Sequence, residues 1–335
     1  MDMKKVLFFK PGAIGDLLHT LPALKALKQK YPAAVVTVVV SPGLDSLIQG
    51  TPVADRVLVF DKTKFKNSFW SFIEFGLRLR GEHYDFFVDM QPSARSFLLR
   101  QICGAKHALV YRKQKRSGRG ERRLHAVDNF METLRLAGIT ESVAKIELPL
   151  RDEAVRSVDL FIQKTGLGGN GPLIALNCSV GAARPARNWI PERFSMLADR
   201  LIRELGAEVI FVGGKEDREL VRSVMAGMKE TAFSAVGKLS IDESAALLAR
   251  CACLVSSDTG PLHLATSVGT RVVGLFGSTD PQRTGPVGTG HRVLMKNLPC
   301  APCEEKNCPL GTRACMDAIS VEDVFQAVRK AAGCY

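Results

Sequence analysis

The stretch that most restricts the fold of this chain runs from Leu254 to Pro281, LVSSDTGPLHLATSVGTRVVGLFGSTDP. An apolar strand ending at Ser256-Ser257-Asp258 is followed by a tight turn at Thr259-Gly260, a helix opened by Pro261, and a second buried strand over Val272 to Phe276. Proline suits the first helical position because its missing N–H would be unpaired there anyway. A strand, a tight turn and a helix in that order belong to a parallel α/β sheet. The carboxyl edge of such a sheet carries the free N–H groups and the positive dipole end that bind phosphorylated ligands. His263 falls in the first turn of the helix, and Gly277-Ser278-Thr279-Asp280 forms a second polar lip after the following strand. The same residues also suit an ordinary strand-helix-strand unit with a capped helix, and this stretch taken alone leaves both readings open.

Strands alternating with helices recur along the chain. Lys4 to Phe9 reads as a first buried strand, Pro11 to Asp16 as a glycine turn, and Leu17 to Lys30 as an amphipathic helix. Ala33 to Val40 is a β-branched run of the kind covered on both faces. Shorter strands are expected at Arg56 to Phe60, Tyr84 to Asp89 and Ala108 to Tyr111. After a helix over Asp152 to Lys164 the pattern restarts, with strands at Leu173 to Asn177, Glu208 to Val212 and Cys253 to Ser256. The fold class is therefore α/β with doubly wound parallel sheets. At 335 residues the chain exceeds one ordinary core and fits two domains of about 150 residues each. The expected limits are 1–165 for the first domain and 172–318 for the second, with a final helix in 319–335 packing back on the first. Gly166, Gly168 and Gly171 spell a dinucleotide fingerprint, but they precede a strand and end in Pro172. The fingerprint must follow a strand and open a helix, so this segment reads as the linker.

No run approaches the ~18 apolar residues of a membrane span. In the opening MDMKKVLFFKPG, Lys10 and Pro11 cut the apolar run short of a signal-peptide core. The expected location is the cytoplasm, where nine cysteines are thiols or metal ligands rather than disulfides. Net charge is +12, and residues 1–165 hold 27 Lys and Arg against 17 Asp and Glu, so nearly all the excess lies in the first half. A cationic half implies an anionic partner: nucleic acid, an acidic membrane surface or a phosphorylated acceptor.

Several residues are candidates for chemistry. Asp16 follows Gly15 in the turn after the first strand; it is either a helix N-cap or a general base facing a cleft. Arg184 and Arg187 flank the mouth of the strand LIALN and suit a diphosphate, which guanidinium groups hold bidentately, or else form an exposed basic loop. Glu216 follows the strand VIFVGG and either accepts from a ribose diol or caps its own helix. Residues 112–123, RKQKRSGRGERR, form a cationic loop on the strand-end side of the first domain; Arg112, Arg116 and Arg119 in it are candidate acceptor contacts. Lys62, Lys64, Lys66, Arg78 and Arg80 flank Phe69, Trp70, Phe72, Ile73 and Phe75, an apolar stripe assigned to the core, the alternative being a lipid headgroup layer. Cys300, Cys303, Cys308 and Cys315 crowd one short loop; they are either a structural zinc set or reduced thiols.

Taken together these residues resemble glycosyltransferase family 9, the ADP-heptose:lipopolysaccharide heptosyltransferases. The resemblance rests on KPGAIGDLLHTLPALKALK, YDFFVDMQPSARSFLL, HAVDNFMETLRLAGI, RNWIPERF and SSDTGPLHLATSVGTRVVGLFGSTDP, in the family's order over almost the whole chain. It implies a GT-B fold of two Rossmann-like domains facing a central cleft, the first binding acceptor and the second nucleotide-sugar. It also implies inversion at the anomeric carbon with no metal or other cofactor required. Carried over by motif, Asp16 matches the catalytic base and Arg187 stands where a phosphate-binding lysine is usual. Asp258, Thr259, Gly260 and His263 match the donor-diphosphate signature, while Glu216 and Lys238 fall in segments that line the nucleoside. The cysteine tail is similar to one in many family members. Departures are Arg187 for lysine, Ala182-Ala183 where some members offer hydroxyls, and Gln91-Pro92 for Gln-Gly. The implied partners are an ADP-heptose donor, a lipopolysaccharide core acceptor of the Kdo-lipid A type and the anionic cytoplasmic face of the inner membrane, with no nucleic acid. Rival readings are a sugar-nucleotide epimerase of the same architecture, or a nucleic-acid-binding protein.

Overall fold

Val35–Val40 reads VVTVVV, and a β-branched run without polar alternation suits a strand covered on both faces. It is buried from Val36 onward in the computed structural model, which describes residues 3–112, 124–140, 146–169 and 171–333. The chain divides into two compact units, Met1–Leu148 and Pro149–Tyr335.

In the first unit the elements are β1 (Lys5–Phe9), α1 (Ile14–Lys30), β2 (Val35–Val40), α2 (Asp45–Ile48), β3 (Arg56–Val59), α3 (Lys62–Asn67), α4 (Phe69–Gly81), β4 (Phe86–Asp89), α5 (Ala94–Cys103), β5 (His107–Val110) and α6 (Ala126–Arg135). Every strand pairing is parallel, in the order β3-β2-β1-β4-β5. From β1 the chain winds outward to β2 and β3, then returns to β4 on the other side. The winding direction therefore reverses between β1 and β4, where Phe9 registers with Asp89. A parallel sheet opens a crevice beyond its carboxyl ends at such a reversal.

The second unit contains α7 (Asp152–Thr165), β6 (Leu173–Asn177), α8 (Pro191–Leu205), β7 (Glu208–Phe211), α9 (Arg218–Ala226), β8 (Phe233–Ser234), α10 (Ile241–Ala249), β9 (Cys253–Ser257), α11 (Gly260–Ser267), β10 (Arg271–Phe276), α12 (Pro281–Thr284), β11 (Arg292–Met295), α13 (Ala314–Asp317) and α14 (Val321–Ala332). Its sheet, also parallel, runs β11-β10-β9-β6-β7-β8. The reversal here lies between β6 and β9, where Asn177 registers with Ser256.

Two differences from the sequence reading concern boundaries. The division falls at Leu148 and Pro149, ahead of α7, because α7 packs on α10. Arg151 binds Asp242 and Arg250 binds Asp159 across that contact. The final helix, expected to pack back on the first domain, instead buries Val324, Phe325, Val328 and Ala331 in the core of the second unit. Each large apolar side chain so buried contributes about 1.5–3 kcal/mol. The glycine-rich segment before β6 serves the chain path. Gly166 ends α7 with φ 74°, and a Cβ on Gly171 would lie 1.9 Å from the carbonyl of Gly206. Two strands were not foreseen: β8 is only two residues long, and β11 is a half-exposed edge.

Candidate active site

A strand buried on both faces can carry polar side chains only where partners await them. Ser256, Ser257 and Asp258, at the end of β9, are all buried. Across the reversal, Nδ2 of Asn177 lies 2.9 Å from Ser256 Oγ and 3.1 Å from Thr259 Oγ1. Thr259 is the N-cap of α11, yet its side chain makes no cap hydrogen bond, being turned to Ser256 Oγ and the Ser257 carbonyl. Pro261 has no N–H and Leu262 N donates to the Thr259 carbonyl at 3.2 Å, so the amides of Thr259 and Gly260 are the ones this end of the helix offers an anion.

Asp258 is the hub of this edge. Oδ1 lies 3.2 Å from Nε2 of His263, Oδ2 accepts from Thr284 Oγ1 at 3.0 Å, and Arg187 Nη1 lies 3.2 Å from Oδ2 and also donates to the Asp258 carbonyl. Burial alone would raise this carboxyl, but the His263 hydrogen bond and the charges of His263 and Arg187 outweigh it and hold the group below the usual carboxylate range. Arg187 ends a 3-10 turn, Pro185–Arg187, that is pinned two residues later. Trp189 is fully buried and donates Nε1 to the Ile319 carbonyl at 2.9 Å. Pro191 then opens α8 at its first position.

The other expected donor residues are not drawn into this cluster. Arg184 is exposed at the start of the 3-10 turn. Glu216 and Lys238 are exposed on the loops after β7 and β8. Those loops adjoin, with Gly237 N donating to Gly213 O at 3.1 Å, so the two residues share the carboxyl edge beyond β6.

The first unit has its own cluster at the β1–β4 reversal. Lys10, the residue after β1, is buried; Nζ donates to Gly12 O at 2.8 Å and to Asp16 Oδ2 and Gln91 Oε1, each at 3.3 Å. Gln91 Oε1 also accepts from Gly12 N at 3.1 Å, which ties the turn after β1 to the end of β4. Burial pulls the Lys10 ammonium below the ordinary lysine range, against the attraction of Asp16. Asp16 is not the helix cap: Ala13 holds that position and Asp16 lies in the first turn of α1. Its carboxylate is 55% exposed and is gripped by Lys10, itself 3% exposed. Gly15 is buried beside it and Arg112 is exposed past β5; Arg116 and Arg119 lie outside the described residues.

Lys10, Asn177 and Thr284 had not been singled out from sequence. A single lysine ending the run VLFF and an asparagine ending LIAL were the available signals, since a polar residue terminating a buried strand marks the sheet edge. The four cysteines line one cavity of about 20 Å³. The backbone N–H of Arg313 holds the Cys308 thiol below its ordinary range, whereas burial raises that of Cys315. Among the described residues, no three or more such side chains are arranged to hold a metal ion. The aromatic stripe assigned to the core is split: Phe72 is buried, but Phe69 and Trp70 are 62% and 79% exposed. No helix among the described residues is long and apolar enough to cross a membrane.

Residues 72–313 match the family model described as glycosyltransferase family 9 (heptosyltransferase). The chain is 26% identical over 306 residues to the lipopolysaccharide core heptosyltransferase OpsX of Haemophilus influenzae, covering 87% of this chain and 84% of that protein. Among solved structures it resembles a family 9 glycosyl transferase from Veillonella parvula, with a TM-score of 0.86, 26% identity and coverage of 99% and 98% of the two chains. It also shares the fold of E. coli heptosyltransferase WaaC with ADP, with a TM-score of 0.72, 20% identity and coverage of 98% and 99%.

Proposed function

The chain belongs to glycosyltransferase family 9, and from that premise we infer that it moves a heptose from ADP-heptose to the inner core of lipopolysaccharide, onto a Kdo or heptose acceptor on lipid A, with inversion and without a catalytic metal. The observation that carries this reading is the Asp258 cluster: a buried carboxylate that fixes Arg187 and His263 beside the Thr259 and Gly260 amides at the start of α11. That is a bed for a diphosphate. Relatives named as lipopolysaccharide heptosyltransferases and a shared fold with an ADP complex support the choice of donor and acceptor class.

In this mechanism the second unit binds donor and the first binds acceptor. Asp16 takes the proton from an acceptor hydroxyl, whose oxygen attacks the anomeric carbon from the face opposite the nucleotide. The bond to the diphosphate breaks with inversion. Arg187, the Thr259 and Gly260 amides and the dipole of α11 meet the charge left on ADP, each fixed donor contributing about 3 kcal/mol in a dry site. These groups supply the stabilisation that a bound cation would otherwise provide. Arg184 adds charge near the phosphates, Glu216 and Lys238 line the nucleoside, and Gly15, Arg112, Arg116 and Arg119 meet the acceptor's carboxylates and phosphates. The thiols at Cys300, Cys303, Cys308 and Cys315 serve the fold rather than the reaction, as reduced thiols. Because the acceptor is lipid-linked, the enzyme works in the cytoplasm at an anionic membrane surface.

Mass spectrometry of the protein incubated with ADP-heptose and a panel of truncated lipopolysaccharide acceptors tests this. The expected product is one acceptor heavier by one heptose, with ADP released. Donor converted at the same rate with no acceptor present, read by proton NMR because an epimer keeps the donor's mass, points to an epimerase and overturns the reading.

A further inference from the structure

Among the described residues, large exposed apolar side chains are not spread evenly. Phe69, Trp70, Leu77, Phe97 and Leu98 all lie on α4 and α5, neighbouring helices packed so closely that a Cβ on Gly76 would sit 2.6 Å from Ile102 Cγ2. The others are dispersed over the chain from Val59 to Leu310. Helix α4 carries two stripes. Phe72, Gly76 and Leu79, at i, i+4 and i+7, face the core, whereas Trp70, Leu77 and Arg80, at i, i+7 and i+10, share an exposed face. A tryptophan 79% exposed at the first turn of a helix does nothing for the fold of the unit that holds it. Exposed apolar side chains gathered on two packed helices mark an interaction surface.

The charge around the patch says what covers it. Helices α3, α4 and α5 hold seven Lys and Arg against one acid, Glu74. Arg100 is used internally, beside Asp89; Lys62, Lys64, Lys66, Arg78, Arg80 and Arg95 are exposed. Protein interfaces are depleted in lysine at their cores, whereas aromatic side chains ringed by Lys and Arg suit the headgroup layer of an anionic bilayer. The charge of Lys62, at the start of α3, reaches the Asp16 cluster, adding to burial in lowering the pKa of Lys10.

We propose that the exposed face of α4 and α5, with the lysines of α3, docks this protein on an anionic lipid bilayer. The phenylalanine, tryptophan and leucine side chains enter the headgroup layer and the cations pair with lipid phosphates. The inference rests on the acceptor reading in one respect, that a lipid-linked acceptor is presented there, but its test can be read separately.

The experiment is co-sedimentation of the full chain with vesicles of phosphatidylglycerol and phosphatidylethanolamine, against vesicles of phosphatidylcholine alone. Wild-type protein is expected to pellet with the anionic vesicles and to stay in solution with the neutral ones. Each surface lysine contributes about fivefold to such binding, so Lys64→Gln with Lys66→Gln lowers the partition about 25-fold. Trp70→Ser lowers it about tenfold. All three positions are exposed, and an unchanged thermal midpoint shows that the variants are folded. Equal binding to both vesicle types, or variants that bind like wild type, overturns the proposal. So does a Trp70→Ser change in oligomeric mass without a change in vesicle binding, which makes the face a protein interface. Transfer to a delipidated, soluble acceptor is measured in parallel. Vesicle binding without transfer to any acceptor sinks the acceptor reading and leaves the docking face standing; transfer without vesicle binding does the reverse.

Discussion

The two units solve one electrostatic problem in opposite ways. Each sheet brings a carboxylate and a cation together at the carboxyl edge where the winding reverses. In the first unit the cation is buried and the carboxylate is offered outward, Lys10 being 3% and Asp16 55% exposed. In the second unit the carboxylate is the buried member and the cation the more exposed one, Asp258 being 3% and Arg187 17% exposed. Burying one charge is tolerated because its partner offsets much of the desolvation cost. The member left nearer solvent is the one a substrate can reach, and its sign suits a different task in each unit. An outward carboxylate can take a proton from a hydroxyl. An outward guanidinium can hold a phosphate. The contrast gives content to the assignment of acceptor chemistry to the first unit and donor chemistry to the second.

The largest test of the contrast is Asp16→Asn. The substitution keeps size and hydrogen-bonding shape while removing the base, so transfer should fall by about 10² to 10⁴. Nucleotide affinity, measured by calorimetry with ADP, should stay unchanged. Transfer retained with ADP binding lost would falsify the division of labour.

Asp258→Asn probes the buried carboxylate. It leaves Arg187 beside a neutral amide, a loss of about 3–5 kcal/mol of stability for breaking a buried pair. The pH dependence gives the sign. The folded-state pKa of Asp258 is depressed, so the stability it supplies is fully present above the unfolded value near 3.9. It disappears as pH falls through the lower folded value. Urea titrations of wild type and variant should therefore show a gap that is constant at neutral pH and narrows only in strong acid. A gap that closes well above the carboxylate range would mean that a group other than Asp258 governs the cluster.

The smallest effect is expected at the buried cation of the first unit. Lys10→Met removes the grip on Asp16 without removing the base, and transfer should fall by about tenfold, the low end of what positioning a catalytic group is worth. Because burial lowers the Lys10 pKa, its charge is lost in wild type at a pH below the ordinary lysine range. The penalty for burying that charge fades over the same interval. The wild-type rate should show an alkaline decline that the methionine variant, having no proton to lose, does not share. Identical alkaline limbs in both proteins would remove Lys10 from the mechanism.

Most of the secondary structure was legible because it is local. A β-branched run of strand length, a proline at the first turn of a helix and an alternation of strands with helices each depend on a few adjacent residues. The strand, turn and helix that carry Asp258, Thr259, Gly260 and His263 were legible for the same reason, since they follow one another directly at that point. The last helix shows the limit. Its apolar face was visible in VEDVFQAVRKAA, but which core receives that face is not encoded in its period.

The sequence by itself determined that this chain forms parallel α/β sheets, that polar residues end its buried strands, and that the surplus of positive charge belongs to the first half. Tertiary structure alone decided that Lys10 meets Gln91 across 81 positions, that Asn177 meets Thr259 across 82, and that Arg187 meets Asp258 across 71. It also decided which half of an aromatic helix is core and which is surface. The reason is that period and capping are fixed by neighbours in the chain, whereas the partner of a polar group at a sheet edge is fixed by strand order, which only the packing of the whole unit selects.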